Sequence, residues 1–359
     1  MPNYLIYITP FLLSFILAVF LTPKIRQLAL KYNILDIPSE PRKIQVSHVP
    51  LLGGLAIYFS YLITLLFSWW IGWLSDGIIK TSQILAIIFG GLIIIIVGFL
   101  DDKYNLKIKS FGGPLLAAIL AVLMGISIKY VTNPFLAGTG PYGRALFYFA
   151  PQIGALASFL WLLGMMYTTK FLDGLDGLVS GIGAIGAIIL FIVSLFWDVP
   201  QSATSVLALI LAGSCLGFLI YNWHPAKIFL GESGSIFIGF MLGILAIISG
   251  AKIATTLLIM GIPILDVIWV IFRRIINEHK SPFLADRKHL HFRLLDVGMS
   301  QTQAVLFLYF LTMFFGVSSL FLQSQYKIIA LFVLFVVMLL LAFNLVLIYK
   351  LKNKKIKNK

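Results

Sequence analysis

Apolar residues in this chain fall in runs of about twenty separated by short polar stretches, the length at which a helix crosses the hydrocarbon core of a bilayer. The runs lie near residues 4–21, 51–73, 84–100, 114–128, 150–167, 178–197, 203–221, 236–250, 254–272, 304–322 and 328–348. They predict an all-α, polytopic integral membrane protein with about eleven transmembrane helices, the fourth, fifth and eighth being short or rich in glycine. The longest polar stretches cover residues 22–50 and 273–303. No internal repeat, low-complexity insert or soluble domain breaks the pattern. It predicts one transmembrane domain over residues 1–350 and a basic tail over residues 351–359.

Composition agrees: mean hydropathy is +1.01, and only 11% of the 359 residues are charged. That lies outside the range of soluble globular chains. The net charge of +14 raises the question of nucleic acid, but its distribution answers it. Lys24, Arg26, Lys31, Arg42 and Lys43 follow the first run. Arg273, Arg274, Lys280, Arg287, Lys288 and Arg293 follow the ninth, and six lysines from Lys350 to Lys359 close the chain. The intervening loops carry isolated cations such as Lys80, Arg144 and Lys327. By the positive-inside rule the N-terminus is outside and the C-terminus cytoplasmic, and the charge is a signature of lipid rather than nucleic acid. The N-terminal segment lacks a basic leader and a small-residue cleavage site, so it reads as a retained first helix. The single cysteine, Cys215, lies within an apolar run, which excludes a disulfide framework.

Four polar motifs interrupt the apolar pattern, each at the end of an odd-numbered span and all on the predicted cytoplasmic side. Asp101-Asp102-Lys103 follows the third and Asp173-Gly174-Leu175-Asp176-Gly177 the fifth. Gly231-Glu232-Ser233-Gly234-Ser235 follows the seventh, and Asp286-Arg287-Lys288-His289-Leu290-His291 the ninth. Carboxylates at a membrane boundary need a partner, and a close group of them finds one in a divalent cation and its phosphate ligands. Each motif also has a plainer reading. Asp101 and Asp102 are then loop acids beside Lys103, and Asp173 to Gly177 is a turn before a helix rather than a helical turn presenting both carboxylates. Ser233 or Ser235 simply caps the eighth span, and the histidines are surface residues. Asp266, inside the ninth span, reads as the structural partner of a neighbouring polar group. His224 reads as interfacial, and His48 and His279 carry no signal.

Together the motifs resemble those of the polyprenyl-phosphate N-acetylhexosamine-1-phosphate transferases, which include undecaprenyl-phosphate N-acetylglucosamine-1-phosphate transferases and phospho-N-acetylmuramoyl-pentapeptide transferases. The resemblance starts at Arg42-Lys43 through Pro50-Leu51-Leu52-Gly53-Gly54. It continues through Asp101-Asp102-Lys103, Asp173 to Leu178, Asn222-Trp223-His224-Pro225 to Ser235, and Pro282 to His291. It implies transfer of a sugar-1-phosphate from a UDP-sugar to a polyprenyl phosphate such as undecaprenyl phosphate, releasing UMP. The cofactor implied is Mg²⁺, with Mn²⁺ as a substitute, and the place is the cytoplasmic face of the cell membrane. Asp176 and Glu232 are the implied metal ligands. Asp102 would orient or deprotonate the acceptor phosphate, with Asp101 and Asp173 completing an acidic cavity. Lys43, Lys109, Arg287, His289 and His291 would contact phosphate or diphosphate, and Asn222 would support the site. The lipid tail would lie between helices, residues 273–303 would form a lid, and a homodimer is compatible with this picture.

The chain departs from the resembled pattern in several places. Lys170 stands where an Asn usually precedes the Asp173 motif, putting a cation beside Asp173. Glu232 replaces an Asp, and a Gln expected after the first acidic pair is absent, the best match being Lys109 and Gly113. The Asp-Arg-x-His-Leu-His form and the eleven spans favour N-acetylglucosamine-1-phosphate over the pentapeptide branch. A transporter or flippase is the competing class. It predicts ionisable residues at mid-membrane and repeated halves, whereas only Asp266 lies deep and no duplication is present.

Overall fold

The computed structural model of the chain describes residues 4–38, 48–75, 77, 79–104, 111–137, 144–197, 202–250, 252–279, 281, 287–322 and 324–357. Its helices are α1 (Leu5–Lys31), α2 (Gly53–Trp70), α3 (Thr81–Tyr104), α4 (Gly112–Leu123), α5 (Pro151–Leu172), α6 (Leu178–Trp197), α7 (Ala203–Asn222), α8 (Gly231–Ile248), α9 (Ile253–Phe272), α10 (Leu290–Asp296), α11 (Gln301–Phe321) and α12 (Ser324–Lys357). Two short antiparallel pairs complete it: β1 (Leu35–Asp36) with β2 (Val49–Pro50), and β3 (Tyr130–Ala137) with β4 (Arg144–Tyr148).

Among the described residues ten helices are long and apolar enough to cross a bilayer, and α4 is a shorter apolar helix. Twelve residues rise only about 18 Å. Even so, α4 runs along most of α3, for Gly113 packs on Val97 and Gly125 O accepts from Gln83 Nε2 at 3.1 Å. Each of the eleven expected runs thus corresponds to a helix. Several helices overrun their apolar window: α1 continues through Lys24, Arg26 and Lys31, and α12 is helical through Lys357. A hydropathy window sees only the part of a helix that needs lipid, whereas the backbone ladder carries on into water as long as the residues favour helix.

The β3–β4 hairpin was not anticipated. Tyr130 pairs with Tyr148, Val131 with Phe147 and Thr132 with Leu146. These are β-branched and aromatic positions that favour strands, in segments too short to register as apolar runs of spanning length.

Burial is graded across the bundle. The apolar windows of α7 and α8 are 83% and 94% buried, whereas that of α12 is 11% buried, so α7 and α8 form the centre and α12 faces lipid. Helices in lipid gain no hydrophobic effect from meeting and associate through close van der Waals packing at small residues. A Cβ on Gly217 of α7 would lie 2.5 Å from Phe15 O of α1, and one on Gly98 of α3 would lie 2.6 Å from Ser233 Cα of α8. The second contact draws the C-terminal end of α3 against the N-terminal turn of α8, where two of the polar motifs lie. Short backbone links secure the same region: Phe229 N donates to Pro50 O and Gly54 N to Leu230 O, both at 2.8 Å.

Candidate active site

The motifs after α3, α5, α7 and α9 meet at one end of the bundle. Helix α5 stops at Leu172, Asp173 caps it, and Gly177, with φ +78°, turns the chain into α6. The segment is therefore a turn followed by a helix start, and the two carboxylates do not share a helical turn. Asn222, buried at the end of α7, holds this turn. Its Oδ1 accepts from Gly177 N at 3.1 Å and Ser180 Oγ at 2.9 Å, while its Nδ2 donates to Ile228 O at 3.0 Å. Tyr309 of α11 donates to Gly177 O. Among the candidate substrate contacts, Asn222 thus spends both amide atoms on the protein and acts as a brace.

Asp102 does for α8 what neither serine does. Helix α8 has no side-chain cap at its N-terminus; instead Asp102 Oδ1, from the end of α3, accepts from Glu232 N at 3.1 Å. A carboxylate at this position meets both the free N–H groups and the positive end of the helix dipole. Its other oxygen, Oδ2, is enclosed without a hydrogen-bond partner among the described residues. Only glycine is tolerated opposite it: Gly231 has φ +74°, and a Cβ there would lie 2.5 Å from Asp102 Oδ2.

Asp176 Oδ2 is held by His224 Nδ1 at 2.7 Å and by Ala226 N at 3.1 Å. His224, read from the sequence as merely interfacial, is the contact that aims Asp176. Lys170 pairs with Glu232, Nζ to Oε1 at 2.6 Å, rather than with Asp173. Asp173 opens into the depression between these elements. Burial by the surrounding protein, and then the charges of Asp176 and Asp36, push its carboxyl up to about 7, while Ser235 pulls it down. Its open edge to water makes this a statement about proton occupancy more than about stability. Asp101 is half-buried and adds its charge beside Asp102.

The fourth motif forms a separate wall. Asp266 of α9 accepts from Leu290 N at 2.9 Å through Oδ1 and pairs with His289 Nδ1 at 2.8 Å through Oδ2. A carboxylate can only accept, so Nδ1 of His289 carries a proton. The expectation that Asp266 partners a neighbouring polar group is met. His289 stacks between Phe171, at 6.1 Å, and His291, at 5.6 Å. His291 is buried against the Asp173 turn, where a Cβ on Gly174 would collide with its Nε2. Burial pushes its imidazole down to about 3, so the ring is neutral and offers an N–H rather than a positive charge. Arg287 is exposed beside α10, bonded to Asp296 Oδ1 at 3.5 Å and lying over the ring of Phe292. Lys43, Lys109 and Asp286 lie outside the described residues.

Asp102, Asp173, Asp176 and Glu232 therefore surround one depression, joined by Asp36 from β1, whose charge acts on Asp173. Neither Asp36 nor His224 stood out in the sequence, because each is a single residue whose partner is distant along the chain. Among the described residues, several carboxylates are gathered beside the ammonium of Lys170, which makes a place suited to a cation. The donors are all oxygen, and the enclosed Oδ2 of Asp102 lacks a partner, which fits a hard divalent ion. Among the described residues no three acidic or imidazole groups are gathered tightly enough to form a metal cage by themselves.

Comparison with known proteins bears on the same residues. The model of glycosyl transferase family 4 matches residues 84–250, which include Asp102, Asp173, Asp176, Asn222 and Glu232. A probable undecaprenyl-phosphate N-acetylglucosaminyl 1-phosphate transferase of Bacillus subtilis is 33% identical over 340 residues, covering 92% of this chain and 89% of the relative. The chain belongs to the polyprenyl-phosphate N-acetylhexosamine-1-phosphate transferase family. A decaprenyl-phosphate N-acetylglucosaminephosphotransferase of Mycolicibacterium smegmatis is 32% identical over 319 residues, 82% of this chain and 76% of the relative. A phospho-N-acetylmuramoyl-pentapeptide-transferase of Prochlorococcus marinus is 30% identical over 315 residues, 82% and 85% of the two chains. As a member of this transferase family the chain is a phospho-sugar transferase set in a membrane by its apolar helices. The histidine wall lies beyond the matched segment, so its contribution rests on the geometry above.

Proposed function

We propose that the protein transfers N-acetylglucosamine-1-phosphate from UDP-N-acetylglucosamine to undecaprenyl phosphate, yielding a lipid-linked diphospho-sugar and UMP. In this reading it works at the cytoplasmic face of the plasma membrane, in the first membrane step of cell-envelope polysaccharide synthesis. A phosphate oxygen of the lipid bonds to the β-phosphorus of the donor, the phosphoanhydride bond breaks, and its electron pair leaves with UMP. The observation that carries the proposal is the convergence of Asp102, Asp173, Asp176 and Glu232 from three separate helix ends onto one depression at the end of a lipid-facing bundle.

Donor and acceptor are both anions, so positive charge must screen their approach and the leaving UMP. Mg²⁺, when bound, would supply much of that positive charge. Asp176, aimed by His224, is the residue best suited to hold it, with Asp173 beside it. We assign Asp102, fixed through Oδ1, to orienting the acceptor phosphate and taking its proton. The stacked pair of His289 and His291 forms the other wall, where the neutral His291 ring offers an N–H to phosphate or sugar oxygens and His289 is fixed behind it by Asp266.

The test uses the full chain purified in detergent with Mg²⁺, undecaprenyl phosphate and UDP-N-acetylglucosamine. UMP release and an extractable lipid-linked sugar are expected, and Asp102→Asn or Asp176→Asn should each lower both by about 10²-fold or more. UDP-N-acetylmuramoyl-pentapeptide and other UDP-sugars are run in parallel to assign the donor. No UMP from any donor while the protein stays folded, or uptake into vesicles without turnover, would remove the transferase reading.

A further inference from the structure

In the half of the bundle away from the depression, α11 and α12 both pack on α9 but scarcely touch each other. Glycines set this arrangement: a Cβ on Gly261 of α9 would lie 2.7 Å from Leu334 Cδ1 of α12, and one on Gly316 of α11 would lie 3.2 Å from Ile259 Cγ1 of α9. Each helix is drawn onto α9, and a groove of about 260 Å³ is left between them, whose lining includes Phe314, Phe315, Leu322, Ile329 and Val333. Ser318 also lines it but spends its hydroxyl on Phe315 O at 2.7 Å. The groove therefore presents hydrocarbon, on the side of the bundle where α12 faces lipid.

Lys327 stands beside this groove, next in sequence to Tyr326, which lines it. Its ammonium donates to Thr255 Oγ1 at 2.9 Å, in the first turn of α9. The charged group that acts on it is a second cation, Lys252, at the N-cap of the same helix, and no carboxylate among the described residues acts on it. Two ammoniums brought together in a partly buried place repel each other and lose solvation, a cost that an anion lying against them removes. The N-terminal ends of α9 and α12 add partial positive charge of their own.

We propose that this end of the bundle binds an anionic phospholipid of the adjacent leaflet, with its phosphate on Lys327 and one acyl chain along the groove between α11 and α12. The two halves choose the occupant together. The groove takes a hydrocarbon chain, and the lysines take negative charge at the level where a headgroup meets the helix ends. A free phosphate leaves the groove unexplained, and a neutral lipid leaves the lysines unexplained. The site is remote from the carboxylate depression and stands whether or not the transferase reading does.

The test is native mass spectrometry of the full chain in detergent, titrated with phosphatidylglycerol, phosphatidylcholine or inorganic phosphate. Phosphatidylglycerol should bind the parent about fivefold more tightly than phosphatidylcholine. Lys327→Gln, or Lys327→Met should the first variant not fold, should remove that preference and leave phosphatidylcholine unchanged, whereas Lys327→Arg should keep it. Val333→Trp, which fills the groove, should weaken both lipids by about tenfold. Equal binding of the two lipids to the parent, or a preference that survives loss of the lysine, would overturn the phosphate contact. Val333→Trp binding both lipids as the parent does would overturn the chain in the groove. Inorganic phosphate competing with phosphatidylglycerol at equal concentration would make the ligand a free anion and remove the lipid.

Discussion

The two walls of the depression are built on different principles. The carboxylate wall is braced by a neutral side chain, Asn222, which makes three hydrogen bonds to fix the Asp173–Gly177 turn. The histidine wall is braced by a carboxylate inside the bundle, Asp266, and by ring stacking. The difference follows from what each wall must present. Where the exposed groups are already anionic, a charged brace would add repulsion; an amide gives the same connectivity without charge. Where the wall is made of buried imidazoles, a carboxylate behind one ring fixes which nitrogen carries the proton.

This comparison is broken most strongly at Asn222. Asn222→Ala leaves Gly177 N–H and Ile228 O buried without their partner, and at about 1 kcal/mol for each of three bonds should cost roughly 3 kcal/mol. Thermal unfolding in detergent should show a clearly lower midpoint, and UMP release should fall with it even below the midpoint, because Asp173 and Asp176 lose their fixed separation. Activity preserved alongside a lowered midpoint would mean that the turn needs no brace to function.

A smaller and more selective effect is expected at Asp266. Asp266→Asn keeps one acceptor, enough for Leu290 N, but sets an amide against the protonated Nδ1 of His289. Stability should fall by about 1 kcal/mol, while the His289 ring shifts tautomer, visible in its ¹⁵N imidazole resonances. If those resonances do not move, Asp266 is a packing residue and the two braces do not differ in kind.

The bundle and its polar end were legible in the sequence because lipid imposes a length on every span and a cost on every charge, so runs of about twenty apolar residues and the four motifs between them stood out. What was not legible depends on contact between distant residues. Lys170 and Glu232 each registered as an isolated departure, and only the fold makes them a pair. His224 carried no spacing that tied it to Asp176, and Asp36 was one acid in a polar loop. The capping of α8 was misplaced for the same reason: serines within the motif are local candidates, while the actual acceptor, Asp102, arrives from α3 across the Gly98–Ser233 contact.

The finest distinction between the walls is their response to acid. His291 is held near 3 in the folded protein against 6.5 for a free imidazole, so between those values the unfolded chain binds the proton that the native ring refuses. Its contribution to stability is therefore whole above about pH 6.5 and is lost as the pH falls toward 3. Asp173 runs the other way, with a smaller effect because it is exposed to solvent: with its carboxyl raised to about 7 from 3.8, the native state is favoured at low pH and gives up that advantage as the pH rises to 7. The two are separated by comparing unfolding midpoints across this range for the parent chain, His291→Phe and Asp173→Asn. His291→Phe should remove the loss on the acid side, since a phenyl ring fills the buried slot without a site for the proton, and Asp173→Asn should flatten the change near neutrality. Parallel curves for His291→Phe and the parent below pH 6.5 would mean that the buried imidazole is already protonated against Asp266, and that the histidine wall, like the carboxylate one, is charged.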